Sequence, residues 1–269
     1  MNKIISGPFS VLMTPFDGHN VDKNAFVEQI KRINDSGVSG FVVNGSTAEF
    51  IQLSLEEQME MTELLAKNKA KDKKIIVSAC TGNAVDTVRI AKHAKSVGGD
   101  AILVCPPYYF KFTPKEREEY FITVADKSPI PVILYNIPFF SQELELDIIY
   151  RLFKHDNIIG IKDSSANMKR IMHLLSVADE NISIMTGTDD ILITALFAGC
   201  VGSMTAFAAI YPNETAQLYD YFARGEYDKA WQIQKSFMPQ LRQADSKTFP
   251  FGYKELMEKV SGITMGNKE

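Results

Sequence analysis

The residues Ile158-Ile159-Gly160-Ile161-Lys162-Asp163-Ser164-Ser165 run from an apolar stretch straight into a lysine and then into helix-capping residue types. This order predicts a strand that carries an amine to its buried C-terminal end. Burial there, in a rim expected to be lined by Ile161 and Ile133, disfavours the ammonium, and a neutral amine attacks a carbonyl to form an imine. A lysine closing a strand also fits a plainer role, its stem on apolar surface and its head in water. The company of Lys162 favours chemistry. Other apolar runs lead into Asn44-Gly45-Ser46-Thr47-Ala48-Glu49-Phe50, Cys105-Pro106-Pro107-Tyr108-Tyr109, Leu134-Tyr135-Asn136-Ile137-Pro138 and Thr186-Gly187-Thr188-Asp189-Asp190. One amine with hydroxyls, phenols and two carboxylates is the equipment of imine chemistry with a proton relay.

Positioning these groups on one rim requires strands that all end on the same side. Eight β-rich runs satisfy this: Phe9 to Met13, Gly40 to Asn44, Lys74 to Ala79, Ala101 to Cys105, Pro131 to Tyr135, Ile158 to Lys162, Ile182 to Thr186 and Cys200 to Thr205. Between them lie amphipathic stretches such as 55–66 and 84–95, with apolar residues recurring at three and four. Eight strands separated by crossover helices predict a (β/α)8 barrel, whose chemistry sits at the C-terminal strand ends. From about 211 to 269 the pattern is helical, giving the last barrel helix and additional C-terminal helices. No linker composition divides the chain, so residues 1–269 read as one domain.

Composition excludes several function classes. The 269 residues are 45% hydrophobic and 23% charged, enough for one large core, and the net charge of −4 offers nucleic acid no basic stripe. No run approaches the roughly 20 apolar residues of a membrane span, and Met1 to Pro8 is too soon interrupted for a signal peptide. A cytoplasmic protein is expected. Cys80, Cys105 and Cys200 are odd in number and set in apolar segments, which reads as reduced core thiols. The four histidines are scattered, and no metal site or cofactor is expected.

Gly45-Ser46-Thr47-Ala48-Glu49, Tyr135-Asn136-Ile137-Pro138, Gly160-Ile161-Lys162-Asp163 and Gly187-Thr188-Asp189-Asp190 occur in the order and spacing of one family. The chain resembles the family of dihydrodipicolinate synthase and N-acetylneuraminate lyase, pyruvate-dependent class I aldolases on a (β/α)8 barrel. The resemblance implies that Lys162 forms the imine with pyruvate or a longer 2-keto acid, and that no metal is needed. It makes Tyr135 the proton-transfer phenol, Ser46 its hydroxyl neighbour, and Tyr109 a second phenol reaching across from a neighbouring subunit of a dimer or tetramer. Thr47 and the turn amides would cradle the pyruvyl carboxylate. Gly187, Asp189, Asp190 and Phe140 fall at substrate-binding positions.

Each of these residues has a structural role that also fits. Ser46 and Thr47 suit a cap for the helix near Ser54, Tyr135 a core-edge tyrosine, and Asp189 and Asp190 first-turn carboxylates. Glu49 suits a partner for turn amides, and the Tyr108 to Phe112 aromatics suit packing. Substrate choice turns on Phe140. Dihydrodipicolinate synthases carry an arginine two residues after the Tyr-Asn-x-Pro proline, to grip the carboxylate of aspartate semialdehyde, and here that residue is Phe140. Losing a bidentate clamp costs on the order of 2 to 3 kcal/mol. Ser141 is closer to the sialic acid lyase pattern, and the aspartates suit sugar hydroxyls. Against that pattern stand Ala48 in place of a turn glycine, Phe50, Gln142 and the apolar run Gly202 to Phe207. The expected substrate is a sialic-acid-type or 2-keto-3-deoxy sugar acid, with dihydrodipicolinate synthesis or non-catalytic keto-acid binding as the alternatives. Ala48 also implies a turn with no special backbone angle at that position.

Overall fold

In the computed structural model, which describes residues 5–268, eight parallel strands close into a barrel: β1 Gly7–Val11, β2 Gly40–Val43, β3 Lys74–Ser78, β4 Ala101–Val104, β5 Val132–Asn136, β6 Ile158–Asp163, β7 Ser183–Thr186 and β8 Gly202–Thr205. Neighbouring strands follow chain order around the closed sheet. The architecture is a (β/α)8 barrel with C-terminal helices, as the alternating pattern predicts. Met1 to Ile4, the first half of the segment read as too soon interrupted for a signal peptide, lies outside the described residues. No described helix is long and apolar enough to cross a membrane.

The crossover helices are α1 Lys23–Asn34, α2 Leu55–Asn68, α3 Ala84–Ser96, α4 Pro114–Lys127, α5 Leu146–Leu152, α6 Met168–Val177 and α7 Leu192–Ala198. Their starts are written in the sequence. Ser54 and Glu57 form a capping box before α2, and Thr113 and Glu116 form one before α4, with Pro114 in the first turn. Both amphipathic stretches singled out above are α2 and α3. After β8 come α8 Phe207–Ile210, α9 Pro212–Ala223, α10 Tyr227–Asp245 and α11 Phe251–Ser261. The four-residue α8 escapes periodicity because it is barely one turn long. Phe16–Asp17 and Asn20–Val21, two residues each, pair as an antiparallel hairpin that alternation cannot reveal at that length.

Contacts divide the chain into two compact units: Ile76–Ser203 with the segment up to Ser6, and Gly7–Ile75 with the segment from Met204 onward. Within the second unit, Phe207 gathers Tyr211, Phe237 and Tyr253 around it. Arg32 donates to the last carbonyls of α8, Ala209 at 2.8 Å and Ile210 at 2.6 Å. The same unit holds a buried ion pair. Lys254 Nζ of α11 lies 2.7 Å from Glu49 Oε1, both side chains 3% exposed, and 4.7 Å above the Phe16 ring. Glu49 thus bonds a helix 205 residues away, while its other oxygen accepts from the Gln52 side-chain amide of the adjoining turn at 2.8 Å.

Removing one partner of such a pair strands a charge in the interior. Lys254→Ala is expected to destabilise the protein by about 3 to 5 kcal/mol. Denaturant unfolding checks this, and a loss under about 1 kcal/mol would make the pair a bystander.

Candidate active site

The period of two along β6 decides what Lys162 faces. Register pairs Tyr135 with Lys162 and Asn136 with Asp163 across β5 and β6. Adjacent residues on a strand point to opposite faces, so Tyr135 and Lys162 share one face while Asn136 and Asp163 share the other. Ile161 therefore cannot line the amine, as the sequence reading had it. Lys162 is 4% exposed, with Nζ 4.4 Å from the centroid of the Tyr135 ring. Burial lowers its pKa to about 8, against opposing pulls from Cys80 and Asp189. The amine is therefore neutral in about a tenth of molecules at pH 7, far more than an ordinary lysine.

The opposite face of the same two strands is held by a closed ring of hydrogen bonds. Asn136 Nδ2 donates to Asp163 Oδ2 at 2.9 Å, and Arg170 Nε donates to the same oxygen at 2.8 Å. Arg170 Nη2 donates to the Leu144 carbonyl at 2.5 Å, and the Leu144 amide returns to Asn136 Oδ1 at 3.0 Å. Asp163 is fully buried, and Ser165 N donates to its second oxygen at 2.9 Å. Arg170 was legible only as part of a helical pattern. Its position seven residues after a buried strand-end aspartate is the signal that finds it.

Gly187 follows β7, its amide donating to the Asp163 carbonyl at 2.8 Å. A Cβ there would sit 1.9 Å from Ser164 Oγ and 2.6 Å from Lys162 Cε, so a side chain at this turn would push both aside and displace the amine. The two aspartates that follow have separate fates. Asp189, buried, opens a short 3₁₀ turn ahead of α7 and raises the Lys162 pKa, whereas Asp190 is exposed. Tyr135, Lys162, Gly187 and Asp189 thus come together.

The remaining site residues lie on loops. Tyr109, beyond β4, is 93% exposed with φ +76 and packs edge-on to Phe110. Phe140, beyond β5, is 55% exposed. In the second unit Ser46 and Thr47 form a 3₁₀ turn after β2, Thr47 buried. Neither supplies the α2 cap, because Ser54 does. Left-handed backbone does occur in this turn, at Asn44 (φ 59) and Glu49 (φ 56), while Ala48 between them avoids it. Cys80, read only as a core thiol, is a near neighbour of Lys162.

A buried amine of lowered pKa at the C-terminal rim of a (β/α)8 barrel defines an enzyme of the class I aldolase type, which holds its substrate as a lysine imine. The particular group is the Dihydrodipicolinate synthetase family: its model matches residues 4–268, and the chain belongs to it. It is a pyruvate-dependent aldolase of this family. The chain is 30% identical over 268 residues to a 4-hydroxy-tetrahydrodipicolinate synthase of Methanospirillum hungatei, covering 98% of this chain and 91% of the relative. It is 32% identical over 254 residues to the enzyme of that name from Endomicrobium trichonymphae, covering 93% and 87%. Among solved structures, a 2-keto 3-deoxygluconate aldolase from Picrophilus torridus superposes with a TM-score of 0.90 at 25% identity, covering 98% of this chain and 96% of that one.

Only a neutral amine attacks a carbonyl, so any imine formed at Lys162 is expected to form more slowly as pH drops through about 8. Asp189 stabilises the ammonium. Asp189→Asn is therefore expected to lower the Lys162 pKa further and move the acid limb of kcat/KM below that of the wild type. An acid limb that stays in place or moves up would remove Asp189 from the lysine's field.

Proposed function

We propose that Lys162 forms an imine with pyruvate or with the keto group of a 2-keto acid, and that Tyr135 carries the protons exchanged as the carbon–carbon bond forms or breaks. The burial of Lys162 against Tyr135 carries this reading. The protonated imine draws electrons from the neighbouring carbon, which is the electron sink that aldol cleavage and condensation require. Ser46 keeps the Tyr135 hydroxyl in register, and Thr47 with the turn amides binds the substrate carboxylate, both by family resemblance. Tyr109 serves the site of a neighbouring subunit in a dimer or tetramer, a reading its exposure and left-handed backbone support. We keep residues 1–269 as one functional domain in the cytoplasm, the latter supported by three free, buried cysteines.

Two second substrates compete. The curated relatives favour aspartate semialdehyde, since those compared carry the name 4-hydroxy-tetrahydrodipicolinate synthase, and they support it better than any sialic acid. The residues around the β5 loop favour an acceptor without a second carboxylate. Phe140 stands at the clamp position, and nearby arginines are committed elsewhere: Arg117 to Glu145, Arg151 to Glu118 and Arg170 to Asp163. A phenylalanine offers a carboxylate no donor. On that observation we assign the chain to cleavage or formation of a 2-keto-3-deoxy sugar acid, with Asp189, near Lys162, the carboxylate offered to the substrate's hydroxyls.

Borohydride added with pyruvate is expected to fix one adduct on Lys162, and Lys162→Ala to lose both adduct and turnover. Tyr135→Phe should keep the adduct and lower kcat by about 10² or more. An adduct on another lysine overturns the assignment.

Measured side by side, 2-keto-3-deoxygluconate cleavage should exceed condensation of pyruvate with aspartate semialdehyde in kcat/KM. The reverse order would establish the reaction of the curated relatives.

A further inference from the structure

Two of the three buried thiols lie just beyond the C-terminal ends of adjacent strands, beside the lysine. The β3–β4 register pairs Ser78 with Leu103, and the ladder continues past it, the Ala79 amide donating to the Leu103 carbonyl at 2.8 Å. Two residues further on, Cys80 lies opposite Cys105. Neighbouring strands run about 4.8 Å apart, inside the roughly 4.4 to 6.8 Å that a disulfide spans between Cα atoms. The Cys105 amide donates to Cys80 Sγ at 3.3 Å, and the Ser78 hydroxyl donates to the same sulfur at 3.4 Å. The Cys80 thiol itself donates to the Leu103 carbonyl at 3.8 Å.

We propose that Cys80 and Cys105 are a built-in modification site, a dithiol that hydrogen peroxide converts to a disulfide next to the imine-forming lysine. The two sulfurs differ in a way that assigns their parts. Burial pushes the Cys80 thiol up, but the Cys105 thiol, the Ser78 hydroxyl, the Cys105 amide and the Lys162 ammonium outweigh it and leave Cys80 below its ordinary value. The hydrogen bond to Cys80 and then burial hold Cys105 well above the ordinary value, and Tyr108 and Tyr120 stand near it. Cys80 is thus the thiolate that attacks, and Cys105 the thiol that resolves.

The Cys80 thiolate attacks one peroxide oxygen, breaking the O–O bond; with the proton taken up, Cys80 becomes a sulfenic acid and one water leaves. Cys105 sulfur then displaces the sulfenic hydroxyl, which departs with the Cys105 proton as a second water. Both sulfurs are oxidised and the peroxide is reduced to two waters. A cross-link between in-register neighbours of a sheet is strained, so small thiols reopen it readily.

The disulfide itself stands on this geometry alone, whereas its effect on Lys162 rests on the imine reading above. The charged or titratable neighbours acting on Lys162 are Cys80 and Asp189, with the Tyr135 ring beneath the amine. Oxidation takes away the one sulfur beside the amine that can carry a negative charge, leaves Asp189, and moves the acid limb of imine formation to lower pH.

The test treats the full chain with hydrogen peroxide and counts thiols in denaturant. Reduced protein has three free cysteines. Oxidised protein should titrate one, Cys200. Non-reducing peptide mass spectrometry should join the Cys80 and Cys105 peptides with loss of two hydrogens, reversed by dithiothreitol. In Cys105→Ser, Cys80 should instead accumulate sulfenic acid trapped by dimedone. Three surviving thiols, a link through Cys200, or wild-type Cys80 carried on to sulfinic acid would each overturn the site. Borohydride trapping of pyruvate across pH then reads the coupling: an unmoved acid limb in the disulfide form refutes the effect on Lys162 and leaves the disulfide standing, while no adduct at any pH, oxidised or reduced, refutes the imine reading.

Discussion

The cost of holding an amine away from water is what the rest of this structure serves. A charged lysine in a low-dielectric interior is unfavourable, and the protein lowers the pKa instead of satisfying the charge fully. Lys162 is buried, and the Tyr135 ring beneath it, Cys80 and Asp189 favour the ammonium against that burial. Were a carboxylate in hydrogen-bond contact with Nζ, the amine would stay protonated and inert as a nucleophile. The arrangement seen is a compromise: enough opposing charge to limit the penalty, too little to lock the proton on.

Geometry keeps that compromise in place. The ring of Asn136, Asp163, Arg170 and Leu144 ties β5 to β6 and to α6 on the face opposite the amine, so the register that sets Lys162 beside Tyr135 is fixed from behind. Asp163 and Arg170 are both buried and meet at 2.8 Å, a pair whose value lies in specifying one arrangement as much as in net stability. Gly187 closes the front, passing where a side chain would strike Lys162 Cε. In the second unit Lys254 and Glu49 do similar work on the turn that carries Ser46 and Thr47.

All eight barrel strands were legible in the sequence to within about two residues, because runs such as Ile75-Ile76-Val77 and Ile102-Leu103-Val104 are apolar on both faces, as parallel strands between helices must be. Lys162 and Tyr135 were legible because each closes such a run. What stayed hidden was pairing. Nothing local joins Lys254 to Glu49 across 205 positions, or sets Cys80 opposite Cys105; both follow only once strand order and register exist. Asp189 and Asp190 look alike in sequence, and only the 3₁₀ turn that buries one of them separates them. Ile161 was misassigned to the lysine's pocket because adjacency along a strand was taken for adjacency in space.

The central claim is that burial, and not a catalytic partner, readies Lys162. A titration of lysine side-chain resonances in protein labelled at Cε, with Lys162 assigned by comparison with Lys162→Arg, measures it directly. A midpoint near 8 for Lys162, well below the ordinary lysine value of 10.5, is the expected result. A midpoint at or above 10.5 would contradict the account.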